Sequence, residues 1–141
     1  MFDPNKRKIW DKSIKSVQLI DTILEINPNL KCYTYHTWFK SPMLLVSERD
    51  IIEKRIDIIE DGYAMMLGFS LPNDYISEQK KVIRCLNYIN IQIVEERKDY
   101  FLFINYGCGD LKMPIPESLL NFTLPSKYND WFKEFTKSFK K

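Results

Sequence analysis

Charged side chains set in apolar text are the residues of this chain best placed to do chemistry. Arg55 lies mid-strand in IIEKRIDIIE, sharing one face with Glu53 and Asp57 while Ile52, Ile56 and Ile58 take the other. Two arrangements fit that alternation. One is a solvent-facing row of paired charges; the other turns Arg55 into a cavity, where a carboxylate or an anionic ligand must offset its desolvation. Arg7 and Asp11, in KRKIWD, stand four apart, the spacing of a surface ion pair on a helix. The same arginine offers planar, bidentate contacts suited to phosphate.

Catalysis finds less support. His36 is the one histidine and has no second ligand beside it at metal spacing, so no metal site is expected. There is no G-x-S-x-G turn, and Gly62, Gly68, Gly107 and Gly109 form no phosphate loop. Gly107-Cys108-Gly109 reads as a bulge or turn ending a strand rather than a reactive thiol site. We therefore expect a protein that is not an enzyme and uses no cofactor.

Composition narrows the field further. A chain of 141 residues, 45% hydrophobic, makes one domain with a substantial core. Nine Phe and eight Tyr exceed what packing alone needs and leave rings to line a pocket or an interface. A net charge of +2 argues against nucleic-acid binding. The terminal group Lys133, Lys137, Lys140 and Lys141 is either a solvated helix end or a contact for an anionic membrane surface. Cys32, Cys85 and Cys108 form no C-x-x-C pair and read as reduced thiols, which predicts a cytoplasmic protein. No apolar run nears the roughly 18 residues that span a bilayer, and MFDPNKRK lacks the apolar core of a signal peptide. Any membrane contact is expected to be peripheral.

These residues need elements to position them. Asp3 followed by Pro4 predicts a short helix to about Lys12. Strands are expected over Lys15 to Ile26 and Lys31 to Trp38, then Glu48 to Glu60 and Tyr63 to Leu71 joined at Asp61-Gly62. A long strand from Lys80 to Glu95 returns as Tyr100 to Cys108. Beyond Pro116 the spacing of Leu119, Leu120, Leu124, Trp131, Phe132, Phe135 and Phe139 is helical, with Pro125 expected to kink or split the helix. The sum is an α+β architecture: about six antiparallel strands in a curved sheet, packed on a long C-terminal helix. Such a sheet cannot fill the space beneath one helix and leaves an elongated pocket.

The order of WFKSPMLLVSERDIIEKR, KKVIRCLNY and MPIPESLLNF resembles the START domain, a lipid-transfer module of helix-grip (Bet v 1-like) fold. Its landmarks are a proline loop before an R-D pair, a V-I-R strand start and an I-P helix start. Here they are Pro42, Arg49 and Asp50, then Val82, Ile83 and Arg84, then Ile115 and Pro116, with Trp10 and Asp11 at the W-D landmark. The resemblance runs over residues 1–141 and corresponds to the C-terminal two thirds of a START domain. It implies either a fragment or a shortened variant, lacking an N-terminal helix and the first strands.

The resemblance also implies a function and a site. A START domain binds a lipid in its sheet-helix cavity and transfers it between membranes, so a phospholipid ligand and a transient membrane surface are the implied partners. The arginine matching Arg55 points into the cavity and pairs with an acidic residue on the neighbouring strand, a position that falls near His36 here. In a phosphatidylcholine-reading member, residues matching Arg7 and Asp11 contact the head group, and aromatic rings cage the choline. Of that cage this chain keeps Tyr88, with Ile51 and His36 at the other positions. The expected lipid site is therefore Arg7, Asp11, His36, Arg55 and Tyr88. Met43, Leu44, Leu45 and Val46 are consecutive apolar residues in a loop; they either fold over the core or form a gate with Phe132 and Phe135. Two other readings stay open: a small polyketide-cyclase-like enzyme using His36 with Asp57 or Tyr88, and an interaction module. Without the first strands, Tyr100 to Cys108 becomes a sheet edge, open to pairing in a homodimer.

Overall fold

A short helix opens the chain because Asp3 accepts the backbone N–H of Asn5 and Pro4 sets the first helical φ. This helix, α1 (Pro4–Trp10), leads into β1 (Ile14–Asn27) and β2 (Leu30–Phe39), then β3 (Glu48–Glu60) and β4 (Tyr63–Ser70). After them come β5 (Val82–Arg84), β6 (Leu86–Glu96), β7 (Phe101–Asp110) and α2 (Glu117–Lys137). The structure is a computed structural model describing residues 3–41, 46–72, 74–113 and 116–138. Pro42, the loop residues Met43, Leu44 and Leu45, and Ile115, Phe139, Lys140 and Lys141 lie outside these.

The strands make one curved sheet in the order β1-β2-β3-β4-β6-β7, with a C-terminal helix, the helix-grip arrangement. Each neighbouring pair along that path is antiparallel. Gly62 takes a φ of 68° in the turn between β3 and β4, a conformation that a glycine adopts without strain.

Two expectations change. The strand expected from Lys80 to Glu95 is two strands, so among the described residues the sheet has seven rather than about six. β5 runs parallel to the start of β3, pairing Glu48 with Val82 and Asp50 with Arg84. At Cys85 the backbone N–H still bonds Asp50 O at 2.8 Å, after which the chain leaves β3 and joins β4 as β6. Two different neighbours force the break. Pro125, expected to kink or split the last helix, lies inside a single helix, α2. It stands in an exposed stretch, so water can take the carbonyl bond that proline forgoes.

An aromatic cluster seats α2. Trp131 and Phe135 stack with ring centroids 5.3 Å apart, Trp10 lies 5.4 Å from Phe135, and Phe103 of β7 lies 4.8 Å from Phe135. Trp131 Nε1 donates to Asp11 Oδ2 at 3.3 Å. The helix thus joins α1, just ahead of β1, to β7 at the far end of the sheet.

Candidate functional site

Under α2 lies an open cleft of about 520 Å³, within the range of small-molecule sites. Its sides are apolar, with Phe39, Ile51, Leu86, Leu111, Leu124 and Trp131, while its floor carries Glu53, Arg55, Asn87, Asn90, Gln92 and Asn105. Strand periodicity explains that floor. On β3, residues 51, 53 and 55 share the concave face; on β6 and β7, Gln92 pairs directly with Asn105.

Arg55 is buried, at 4% exposure, as is Glu53 at 5%. Arg55 Nε donates to Glu53 Oε1 at 2.6 Å, and Asn87 Nδ2 donates to Glu53 Oε2 at 3.0 Å. Burial opposes ionisation of Glu53, but the charge and hydrogen bond of Arg55 outweigh it and hold the carboxyl below its ordinary value. The Arg55 guanidinium also stands 5.4 Å from the Tyr35 ring centre. Gly68 stands opposite Arg55, and a Cβ there would come into van der Waals contact with Glu53 Oε2 at 3.4 Å.

Arg7 lines the cleft from α1 and pairs with Asp11 at 2.9 Å. That pair is not a surface one, since Asp11 is buried and also accepts the N–H and hydroxyl of Ser13.

His36 is elsewhere. The β2–β3 register sets Tyr33, not His36, opposite Arg55; His36 faces Ile52 on the other side of the sheet. There its Nε2 lies 2.8 Å from Asp50 Oδ2, and its ring stacks on Trp38. Asp50 also accepts both Nε and Nη2 of Arg84, each at 2.9 Å. These bonds outweigh the burial that would raise it, and its carboxyl titrates below the ordinary value. The R-D and V-I-R landmarks are therefore one buried clamp of β5 on β3. Asp57 belongs to the Arg55 face, so a His36–Asp57 acid-base pair does not assemble. Tyr88 is 59% exposed beside the irregularity between Asn87 and Ile89 and does not line the cleft.

Of the gate residues within the described part, Val46 is half-buried, Phe132 is 48% exposed and Phe135 is buried in the aromatic cluster. Phe135 is thus an anchor of α2. Among the described residues no helix is long and apolar enough to cross a membrane, and no group of three His, Cys, Asp or Glu could hold a metal ion. The amides on the cleft floor went unremarked in the sequence, although Asn90 and Gln92 alternate with Ile89, Ile91 and Ile93 on one strand.

Comparison with solved structures finds START domains. Human STARD10 superposes with a TM-score of 0.74 at 18% identity, covering 96% of this chain and 55% of that one. Human StAR-related lipid transfer protein 5 gives 0.76 at 18%, covering 95% and 64%. The human StarD13 lipid transfer and protein localization domain gives 0.60 at 18%, covering 79% and 54%. The chain thus spans between about half and two thirds of these structures' length, and the likeness establishes the fold. No family model and no curated protein matches the sequence.

Proposed function

We propose that this chain binds a lipid, with a phospholipid favoured, in the cleft between sheet and α2, and passes it between membranes without catalysis. The observation that carries this reading is the cleft itself: apolar walls for acyl chains around a floor whose buried Glu53–Arg55 pair is neutralised within itself. Each methylene moved from water to those walls is worth about 0.8 kcal/mol, enough to hold an amphiphile in solution. Arg7, at the rim, supplies the contact for a phosphate. Entry and exit take place at a membrane surface, through the loop of Met43 to Val46 and the exposed apolar side of α2 that includes Phe122 and Phe132. Fold likeness to proteins named for lipid transfer supports the same reading.

Transfer of a fluorescent phospholipid between liposomes tests it. The chain should accelerate transfer, and replacing Leu44 and Leu45 with Asp should slow it while the far-UV circular dichroism spectrum stays unchanged. Arg7→Ala should weaken all phospholipids alike. A chain that neither copurifies with lipid nor moves it would refute the reading.

A further inference from the structure

The cleft floor carries more hydrogen-bonding capacity than an acyl chain can use. Asn87 spends its amide N–H on Glu53, and Asn105 Nδ2 donates to the Tyr128 hydroxyl at 3.2 Å. Three buried oxygens among the lining residues have no partner: Thr37 Oγ1, Asn90 Oδ1 and Asn105 Oδ1. Thr37 is itself only 4% exposed. Buried polar atoms are normally bonded, because leaving one unpaired costs more than a bond returns. Gly107, directly opposite Asn90, keeps the space above open, since a Cβ there would meet nothing within 4 Å.

The chemistry of these groups selects a ligand. Amides and a threonine hydroxyl present donors and acceptors side by side, and turning either amide over exchanges one for the other. The three unpartnered oxygens can all accept, so head-group hydroxyls satisfy them, and a primary ammonium can donate to them too, whereas a quaternary ammonium cannot.

We infer that Thr37, Asn90 and Asn105, with Gln92 beside them, form a hydroxyl-recognition subsite that takes a lipid whose head group carries several free hydroxyls. This rests on the lipid reading above and names the head group. A head group bearing choline, with no hydrogen to donate, fits the same cleft less well.

Competition against a bound pyrene-labelled phosphatidylcholine, which has no head-group hydroxyl, tests the subsite, using short-chain phosphatidylinositol, phosphatidylcholine and phosphatidylethanolamine with identical acyl chains. Phosphatidylinositol should displace the probe at concentrations about tenfold or more below phosphatidylcholine, the discrimination of one or two well-made hydrogen bonds, with phosphatidylethanolamine between them. Asn90→Leu and Asn105→Leu should each bring the three lipids towards parity while the probe still binds. Equal displacement by all three in the unaltered chain overturns the subsite and leaves lipid binding standing. A preference for inositol that survives both variants overturns it too. Failure of every lipid, the probe included, to bind overturns the subsite and the lipid reading together. Should Asn90→Leu not fold, the ratio in the unaltered chain and in Asn105→Leu decides.

Discussion

Glu53 and Arg55 stand two residues apart on one face of β3 and neutralise each other inside the cleft. Arg55 has Tyr33 and Gly68 as its cross-strand neighbours, and neither carries a charge. The pair is buried, and Asn87 completes the carboxylate. The rest of the most enclosed positions repeat the theme: among the described residues, buried polar side chains outnumber the buried apolar ones Ile14, Ile52, Met66, Cys85 and Phe135. A sheet that leaves a cleft beneath its helix has little apolar centre, and charge clamps hold the strands beside it.

Breaking that pair should be costly. Arg55→Leu strands a buried carboxylate, and urea denaturation should show a loss of about 3–5 kcal/mol. Pairing it with Glu53→Gln should recover a good part. A single-variant loss of a few tenths of a kcal/mol would mean that the charges face water.

Asp57 predicts a pH dependence of opposite sign to the usual carboxylate. Burial pushes its carboxyl up to about 6, nearby Arg55 offsetting only part, and its Oδ1 has no partner. The folded state thus holds the proton more tightly than the unfolded chain, so Asp57 costs stability as pH rises from about 4 to about 6 and above. Asp57→Asn should exceed the unaltered chain in stability by about 1–3 kcal/mol at pH 7, with the gap closing near pH 4. Thermal melts of both proteins across that range check the sign; a constant gap would contradict it.

Two glycines on β7 should respond differently to the same substitution. A Cβ at Gly109 would sit 2.5 Å from the Leu86 carbonyl oxygen, whereas at Gly107 it would meet nothing within 4 Å. Gly109→Ala should therefore lower stability by about 1–3 kcal/mol. Gly107→Ala should be neutral or raise it by about 0.5 kcal/mol through the unfolded state. Equal effects in chemical denaturation would show that β6 and β7 do not approach closely there.

Phe132 and Phe135 separate packing from surface contact. Phe135→Ala empties the aromatic cluster and should cost about 3–5 kcal/mol, with loss of the near-UV signal of Trp10 and Trp131. Phe132, half exposed on the same helix, should tolerate Ser within about 1 kcal/mol while liposome transfer slows. Unchanged transfer in Phe132→Ser would remove this side chain from the membrane contact.

Local rules made much of the molecule legible from sequence. Alternating polar and apolar residues define β3, Asp61-Gly62 defines its turn into β4, and the Asp3-Pro4 cap starts α1. The three- and four-residue spacing of Leu119 to Phe135 defines α2. Each is a short-range preference of backbone and side chain, readable without knowing what lies opposite. The alternation around Arg55 also told which residues share a face. It did not tell which face is enclosed, because period two is the same whether water or a helix covers the charges.

Tertiary structure decided the rest. Strand register moved His36 to the far side of the sheet from Arg55, where Asp50 binds it, and split the expected Lys80 to Glu95 strand at Cys85 between two partners. Packing of α2 on Trp10 and Phe103 made Phe135 an anchor. The cleft floor arose only when β6 and β7 brought Asn90, Gln92 and Asn105 together. Register and layer packing depend on residues far apart in the chain, where a shift of one position turns every side chain to the opposite face.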